Sequence, residues 1–533
     1  MTGAAPQWRR LSPRMLLIHP VREVGRAVPA LAGVLRAGRN SGHEWWSLAA
    51  LVLVVGLSML RWLTTGYLIT EHQVQLRTGL FRRRTVTTPL DRVRTVDVTA
   101  HALHRVLGLA RVAIGTGTSD RKREPLVLDG LPAPAAGALR AELLHRAAAV
   151  APGVTAAGGG PDRSQQVAAG AAWSQPAAEG PEWSQPAAPP EEEVIARLDP
   201  RWIWYAPFTL SGAVTGLAVL GLLWRVLSQA EVPAGRIPVL RWGGRHLART
   251  AVWADVLQVA VAVLVLVGLL SVIGYLLAFW NFRLTRHPGG SLQVQRGLVT
   301  SRATSISERR LRGVELSQLL PLRLVGGARL LAVATGLRMR RGAERGGTLL
   351  LPASPVTETR RVAAAVLAGA PPAGAGGTPL AEPLRPHGPA ARRRRYQRAV
   401  LPAGTVLLGL LVLWLAGVVP AWLPVVGLLL PVLAVPLARD RYAALGHELA
   451  GRFLVIRSGS LDRRQVVLAT DGIIGWRLQQ SPFQRRAGLV TATATTAAGR
   501  QGYRIQDVRY GEAMRLIEAV DPALLATLEP EPS

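Results

Sequence analysis

The sequence predicts a mixed membrane protein: α-helical spans in pairs, each pair followed by a small β-rich domain closed by a C-terminal helix. Three observations predict it. Apolar residues collect in blocks near the length that crosses a bilayer, three copies of one polar pattern lie between and after the blocks, and each copy alternates apolar with polar residues around fixed glycines.

At 533 residues the chain exceeds what one hydrophobic core supports, so several domains are expected. Hydrophobic residues make up 49% of it and charged residues only 18%, a membrane-protein balance. Its net charge is +30, carried almost wholly by arginine, with Lys122 the lone lysine. Such a chain attracts polyanions, and for a membrane protein the nearest is the anionic leaflet. The absence of cysteine excludes disulfides, thiolate metal sites and a cysteine nucleophile. The apolar run Met15 to Ile18 is too short for a signal-peptide core, so the first helices are expected to do the targeting.

Five spans are readable: Trp46 to Leu63, Trp202 to Leu227, Val256 to Trp280, Ala399 to Val418 and Trp422 to Leu437. Val24 to Leu35 is shorter and interrupted by Arg26 and Pro29; counted as a degenerate span, it completes three pairs. Trp45, Trp46, Trp62, Trp202, Trp204, Trp280, Trp414 and Trp422 fall near the ends of these runs and read as headgroup-level anchors. Arg392 to Arg395, before Ala399, mark a cytoplasmic side. Arg236, Arg241, Arg245 and Arg249, between two spans of one pair, pull the other way.

Residues 151–190 repeat Trp173-Ser-Gln-Pro as Trp183-Ser-Gln-Pro in Ala/Gly/Pro-rich surroundings, and 370–391 is similarly biased. Both read as linkers. The expected division is a first helix pair in 1–66, a β domain in 67–150, a linker in 151–198, a second pair in 199–280, a domain in 281–369, a linker in 370–398, a third pair in 399–438 and a domain in 439–526.

The repeat needs no gap. Gly79 falls on Gly297 at an offset of 218, which also puts Arg92 on Arg310, Arg94 on Arg312, Val96 on Val314 and Gly108 on Gly326. A second offset of 162 brings Gly459, Ile473, Trp476 and Gly488 onto Gly297, Leu311, Val314 and Gly326. Each copy predicts a short strand (from Val74, Leu292 or Leu454), a glycine turn, two further strands and a terminal helix. That helix shows its buried stripe at Ala136, Leu139 and Leu143, at Val362 and Val366, and more weakly at Met514, Leu516 and Ile517.

Tyr67-Leu-Ile-Thr-Glu-His, Leu76-Arg-Thr-Gly-Leu, Thr88-Pro-Leu-Asp-Arg-Val-Arg-Thr-Val-Asp-Val and His104-Arg-Val-Leu-Gly-Leu-Ala resemble the bacterial pleckstrin-homology-like (PH-like) domain of membrane-anchored proteins. Ile18-His-Pro and Leu198-Asp-Pro-Arg-Trp resemble that family's approach to each helix pair. The resemblance implies a PH-like β-barrel or sandwich with a C-terminal helix after each of three helix pairs. It also implies no established catalytic residues and a role in envelope stress or antimicrobial resistance. The third copy departs from the pattern, with Gly472 and Ile474 where the other copies have arginine.

No catalytic set, cofactor motif or metal spacing emerges. His101 and His104 lack a third ligand, Gly115-Thr-Gly117 lacks a lysine and a following helix, and Arg225 and Asp255 sit near span ends rather than forming a transport path. Each copy is basic: 67–117 hold 8 Arg against 3 acids, 281–336 hold 9 against 2, and 441–499 hold 8 against 3. Arg82, Arg83, Arg84, Arg92, Arg94, Arg310 and Arg312 are therefore the candidate contacts to anionic lipid headgroups or a protein partner, membrane-bound or cytosolic. Aromatic residues are 5%, and most tryptophans lie at membrane edges, so nucleic acid is not expected as a partner. The expectation is a non-enzymatic membrane scaffold or adaptor without cofactor, its soluble domains cytoplasmic; the alternative is a component of a transport or export system.

Overall fold

The computed structural model describes residues 9–15, 66–140, 192–225, 252–369 and 379–522, with short interruptions inside these ranges. The expected spans at Val24 to Leu35 and Trp46 to Leu63, the 151–190 segment, most of the loop between Leu227 and Val256, and Gly79, Arg82, Arg83, Arg92 and Arg94 lie outside the described residues.

The first β unit comprises β1 (Arg9–Arg10), β2 (Gly66–Ile69), β3 (Gln73–Thr78), β4 (Arg84–Pro89), β5 (Thr95–Ala100), α1 (Ala102–Val106), β6 (Leu109–Gly115), β7 (Leu126–Pro132) and helix α2 over 133–140. The second begins with β8 (Glu193–Arg197) and a 3-10 helix, Pro200–Phe208, before the long helix α3 (Val252–Phe279). It continues through β9 (Arg283–His287), β10 (Ser291–Arg296), β11 (Ser301–Ser307), β12 (Leu311–Leu319), α4 (Leu320–Leu324), β13 (Gly327–Ala334), β14 (Leu349–Pro355) and α5 (Val356–Ala368). The third follows α6 (Gly388–Leu415), α7 (Trp422–Gly427) and α8 (Leu429–Ala443) with β15 (Gly446–Ala450), β16 (Phe453–Ser458), β17 (Asp462–Ala469), β18 (Gly475–Gln479), α9 (Pro482–Arg486), β19 (Leu489–Thr495), β20 (Gly502–Arg509) and α10 (Tyr510–Val520).

The two sequence offsets reproduce this order element for element: α1, α4 and α9 start at 102, 320 and 482. The glycine after each short helix, Gly108, Gly326 and Gly488, has a φ of +67°, +73° and +64°, a left-handed turn that only glycine enters without strain.

Strand pairing crosses unit boundaries, which the repeat alone does not predict. One sheet runs β7-β6-β5-β11-β10-β9-β8 and joins the first unit to the second; another runs β14-β13-β12-β17-β16-β15 and joins the second to the third. The register is the same at both junctions. Val96 pairs with Ser305 and Val314 with Val467, positions equivalent under the two offsets.

Burial follows from this pairing. In β10, Leu292 and Val294 point into the apolar core while Gln293 between them is buried on the other face beside His287. In β16 the run Phe453-Leu-Val-Ile is buried throughout: Phe453 and Val455 pack into the second unit's core, Leu454 and Ile456 into the third's. A strand covered on both faces carries a continuous apolar run rather than an alternating one.

Three described helical segments are long and apolar enough to cross a bilayer, Leu257–Phe279, Gly388–Leu415 and Trp422–Ala443, the last combining α7 and α8. They expose apolar side chains such as Leu264 and Leu415 along their length, as lipid-facing helices do. The chain is a membrane protein.

Several expected boundaries shift. Trp202 is not a headgroup anchor: it is 4% exposed, packed beside Phe282 in the second unit's core, because the chain from Pro200 to Phe208 is a 3-10 helix beneath the sheet. That helix is tied to α3 by the Ser271 hydroxyl, which donates to the Ala206 carbonyl at 2.7 Å. β8 lies within the expected 151–198 linker, and Leu380, within the expected 370–398 linker, is buried in the second unit's core. The third pair's first helix begins at Gly388 rather than Ala399, so the arginine cluster is helical.

Candidate functional site: a juxtamembrane arginine pocket

The polar first turns of α6 carry Arg392 to Arg395 and Arg398 immediately before its apolar stretch. Helical spacing brings Arg394, Arg395 and Arg398 to one side, against α9 and β20 of the third unit. A cavity of about 480 Å³ opens there, lined by these three arginines, Arg504, Gln479, Gln480, Ser481, Gln484, Thr491, Gln506 and Asp507.

Asp507 is the anchor of the site. It is buried, sits at a φ of +57°, and pairs with Arg394 Nε at 3.0 Å and Arg395 Nη2 at 2.7 Å. Gln484 Nε2 donates to its Oδ1 at 2.8 Å, and Gln484 also completes the capping box with Ser481 that starts α9. Arg394 reaches the Ser481 hydroxyl, and Arg395 the Gln506 amide oxygen. Two arginines are thereby fixed and one charge is offset. Arg398 and Arg504 stand exposed at the rim with no side-chain partner among the described residues, leaving the pocket net positive. Arginine donors in a fixed fork suit a phosphate or carboxylate oxygen.

The candidates named from sequence that lie among the described residues are not gathered here. Arg84 lies in β4, and Arg310 ends the 3-10 turn Glu308–Arg310. Arg312 is committed to a junction: its guanidinium pairs with Asp471 at 2.8 Å, and its stem crosses Gly472, where an added Cβ would meet Arg312 Cδ at 2.9 Å. This explains the departure at Gly472, since a side chain there would displace Arg312. His104 is 2% exposed and bonds Asp129 at 3.1 Å, so it fastens α1 to β7. Sequence reasoning treated Arg392 to Arg395 as an orientation signal alone; the helical phase of Arg394, Arg395 and Arg398 was the available clue to a shared face.

The family model described as "Bacterial PH domain" matches residues 24–147 and 404–523. The chain carries two bacterial PH domains. No curated protein and no solved structure matches it. The second match runs from within α6 to just past α10; it takes in the pocket lining from Gln479 to Asp507 and begins after Arg394, Arg395 and Arg398, which stand on the preceding turns of α6. The second unit, between the two matched PH domains, has the same order of strands and helices.

Proposed function

We propose that this PH-domain protein is a non-enzymatic, membrane-anchored scaffold that reads an anionic headgroup through the arginine pocket of its third unit. The carrying observation is the pair of exposed rim arginines, Arg398 and Arg504, without a side-chain partner among the described residues, beside two fixed ones at the foot of a membrane-length helix. A phosphate entering from the leaflet would meet a preformed positive cradle, and a basic group near an anionic surface contributes on the order of 1 kcal/mol. The middle unit is a third, diverged PH-like domain, and all three units stand on one face of the membrane, the cytoplasmic one.

Strand pairing supports the single face. The strands that flank each helix segment are neighbours, β1 with β2 and β8 with β9, while an isolated bridge joins Arg385 to His447 around the third. A chain that leaves a sheet and returns beside itself crosses the bilayer an even number of times, which fits three hairpins.

The binding reading is tested on purified full-length protein by calorimetry with dihexanoyl phosphatidylglycerol, dihexanoyl phosphatidylcholine and inorganic phosphate. The glycerol lipid is expected to bind, with affinity reduced about ten-fold or more by Arg398→Gln with Arg504→Gln. Equal binding of the choline lipid, or no effect of the double variant, refutes it. For topology, single cysteines placed at Thr85, Val299 and Leu461 of this cysteine-free chain should respond alike to an impermeant thiol reagent in intact cells, all protected until lysis.

A further inference from the structure

Both junctions between units use the same device. The first strand of a unit's second sheet, β5 or β12, accepts the third strand after the membrane helices of the following unit, β11 or β17. Each accepting strand holds an acid at the equivalent position, the half-buried Asp97 or the buried Glu315. Diagonally across each junction lies an arginine of the added strand: Arg302 toward Asp97, and Arg464, whose Nε is 3.6 Å from Glu315 Oε1.

The third accepting strand is β18, and among the described residues its outer edge is free. The position equivalent to Asp97 and Glu315 is here Arg477, exposed, with Leu478 exposed beside it and Ile474 70% exposed just before the strand. The donor strand equivalent to β11 and β17 is β4, also at a sheet edge, which places Arg84 where Arg302 and Arg464 stand. If β4 added to β18 in the common register, Leu478 would face Thr85 and Arg477 would lie diagonal to Arg84. Two arginines would then replace the acid–arginine pair, and like charges brought together in a forming sheet oppose it.

We infer that the β18 edge is a docking site for an extended strand of a partner protein carrying a carboxylate in the register position that Arg464 occupies in β17. The inverted charge rejects this chain's own β4, whether from the same molecule or from a second copy, and selects an acidic strand. Backbone pairing along Gly475–Gln479 supplies the affinity, and Ile474 and Leu478 supply apolar contact. An unprotected edge without such a device invites uncontrolled pairing; Arg477 turns it into a selective one.

The test uses the full-length protein in nanodiscs and two labelled peptides: the segment Asp462–Ala469 as it stands, and its Arg464→Glu form. Fluorescence anisotropy is expected to show the Arg464→Glu peptide binding at least ten-fold more tightly, with the preference weakened by salt and reversed in the Arg477→Glu protein. Equal affinity of the two peptides, or no binding of either at millimolar concentration, overturns the proposal. A second measurement places cysteines at Thr85 and Leu478. Efficient disulfide formation between them, within one chain or between two, would mean that β4 occupies the edge after all and would equally overturn it; the free thiols are expected to persist.

Discussion

Replacing Glu315 with glutamine should change how the junction between the second and third units responds to pH. Its side chain is 1% exposed, with Oε1 held by Arg500 at 3.0 Å and Oε2 without a hydrogen-bond partner among the described residues. Burial pushes its carboxyl up from 4.5 to about 7; Asp462 adds to the rise, while Arg464 and Arg329 oppose it. A raised acid gives stability that is fully present below about 4.5 and is lost as pH climbs through about 7. The rise corresponds to on the order of 3 kcal/mol, roughly 300-fold in the junction's opening equilibrium. Hydrogen exchange of Leu311–Leu319, corrected for intrinsic rate, should show protection in the parent protein declining between pH 5 and pH 8 by up to that factor. The Glu315→Gln protein keeps the Arg500 bond and should hold its protection nearly constant. Parallel profiles in the two proteins would refute the assignment of a strained buried charge to this position.

Other expectations are equally direct. Gly313 has a φ of +152°, and an added Cβ would lie 1.9 Å from the Val467 carbonyl oxygen, so Gly313→Ala should cost about 3 kcal/mol at the same junction and accelerate proteolysis between the units. His447 is buried beside His387, whose Nε2 is 3.0 Å away; burial first, then the charges of His387 and Arg385, hold it down from 6.5 to about 4, with Glu512 3.6 Å away on its other side. Stability from that neutral imidazole is present above about 6.5 and lost as pH falls through about 4, so exchange along Gly446–Ala450 should rise with acid, and His447→Gln should flatten the rise.

Much of the fold was legible because it rests on local patterns. The glycines at 79, 297 and 459 and at 108, 326 and 488 punctuate each copy, and the two offsets carry every short helix onto its counterpart. The span Val256 to Trp280 is close to α3, since a bilayer-length apolar run has no other use. Trp202 was misread because an aromatic at the edge of an apolar run looks the same whether lipid or a sheet covers it. The arginine pocket was only partly legible, for Asp507 lies 112 positions from Arg395 and no spacing rule links them.

The sequence by itself determined the class: bilayer-length apolar blocks, a basic three-copy repeat and a bacterial PH-like pattern are written in periodicity and composition, which act over a few residues. Only the tertiary structure decided that the copies share sheets. The continuous run Phe453-Leu-Val-Ile hinted at a strand buried on both faces, but which unit covers each face depends on pairing across unit boundaries, between residues as far apart as Val96 and Ser305. The same pairing sets the half-buried Asp97 and the buried Glu315 into the junctions and leaves Arg477, their counterpart, on an edge that is open among the described residues; a residue's role there is set by what lies opposite it, and no local pattern contains that information.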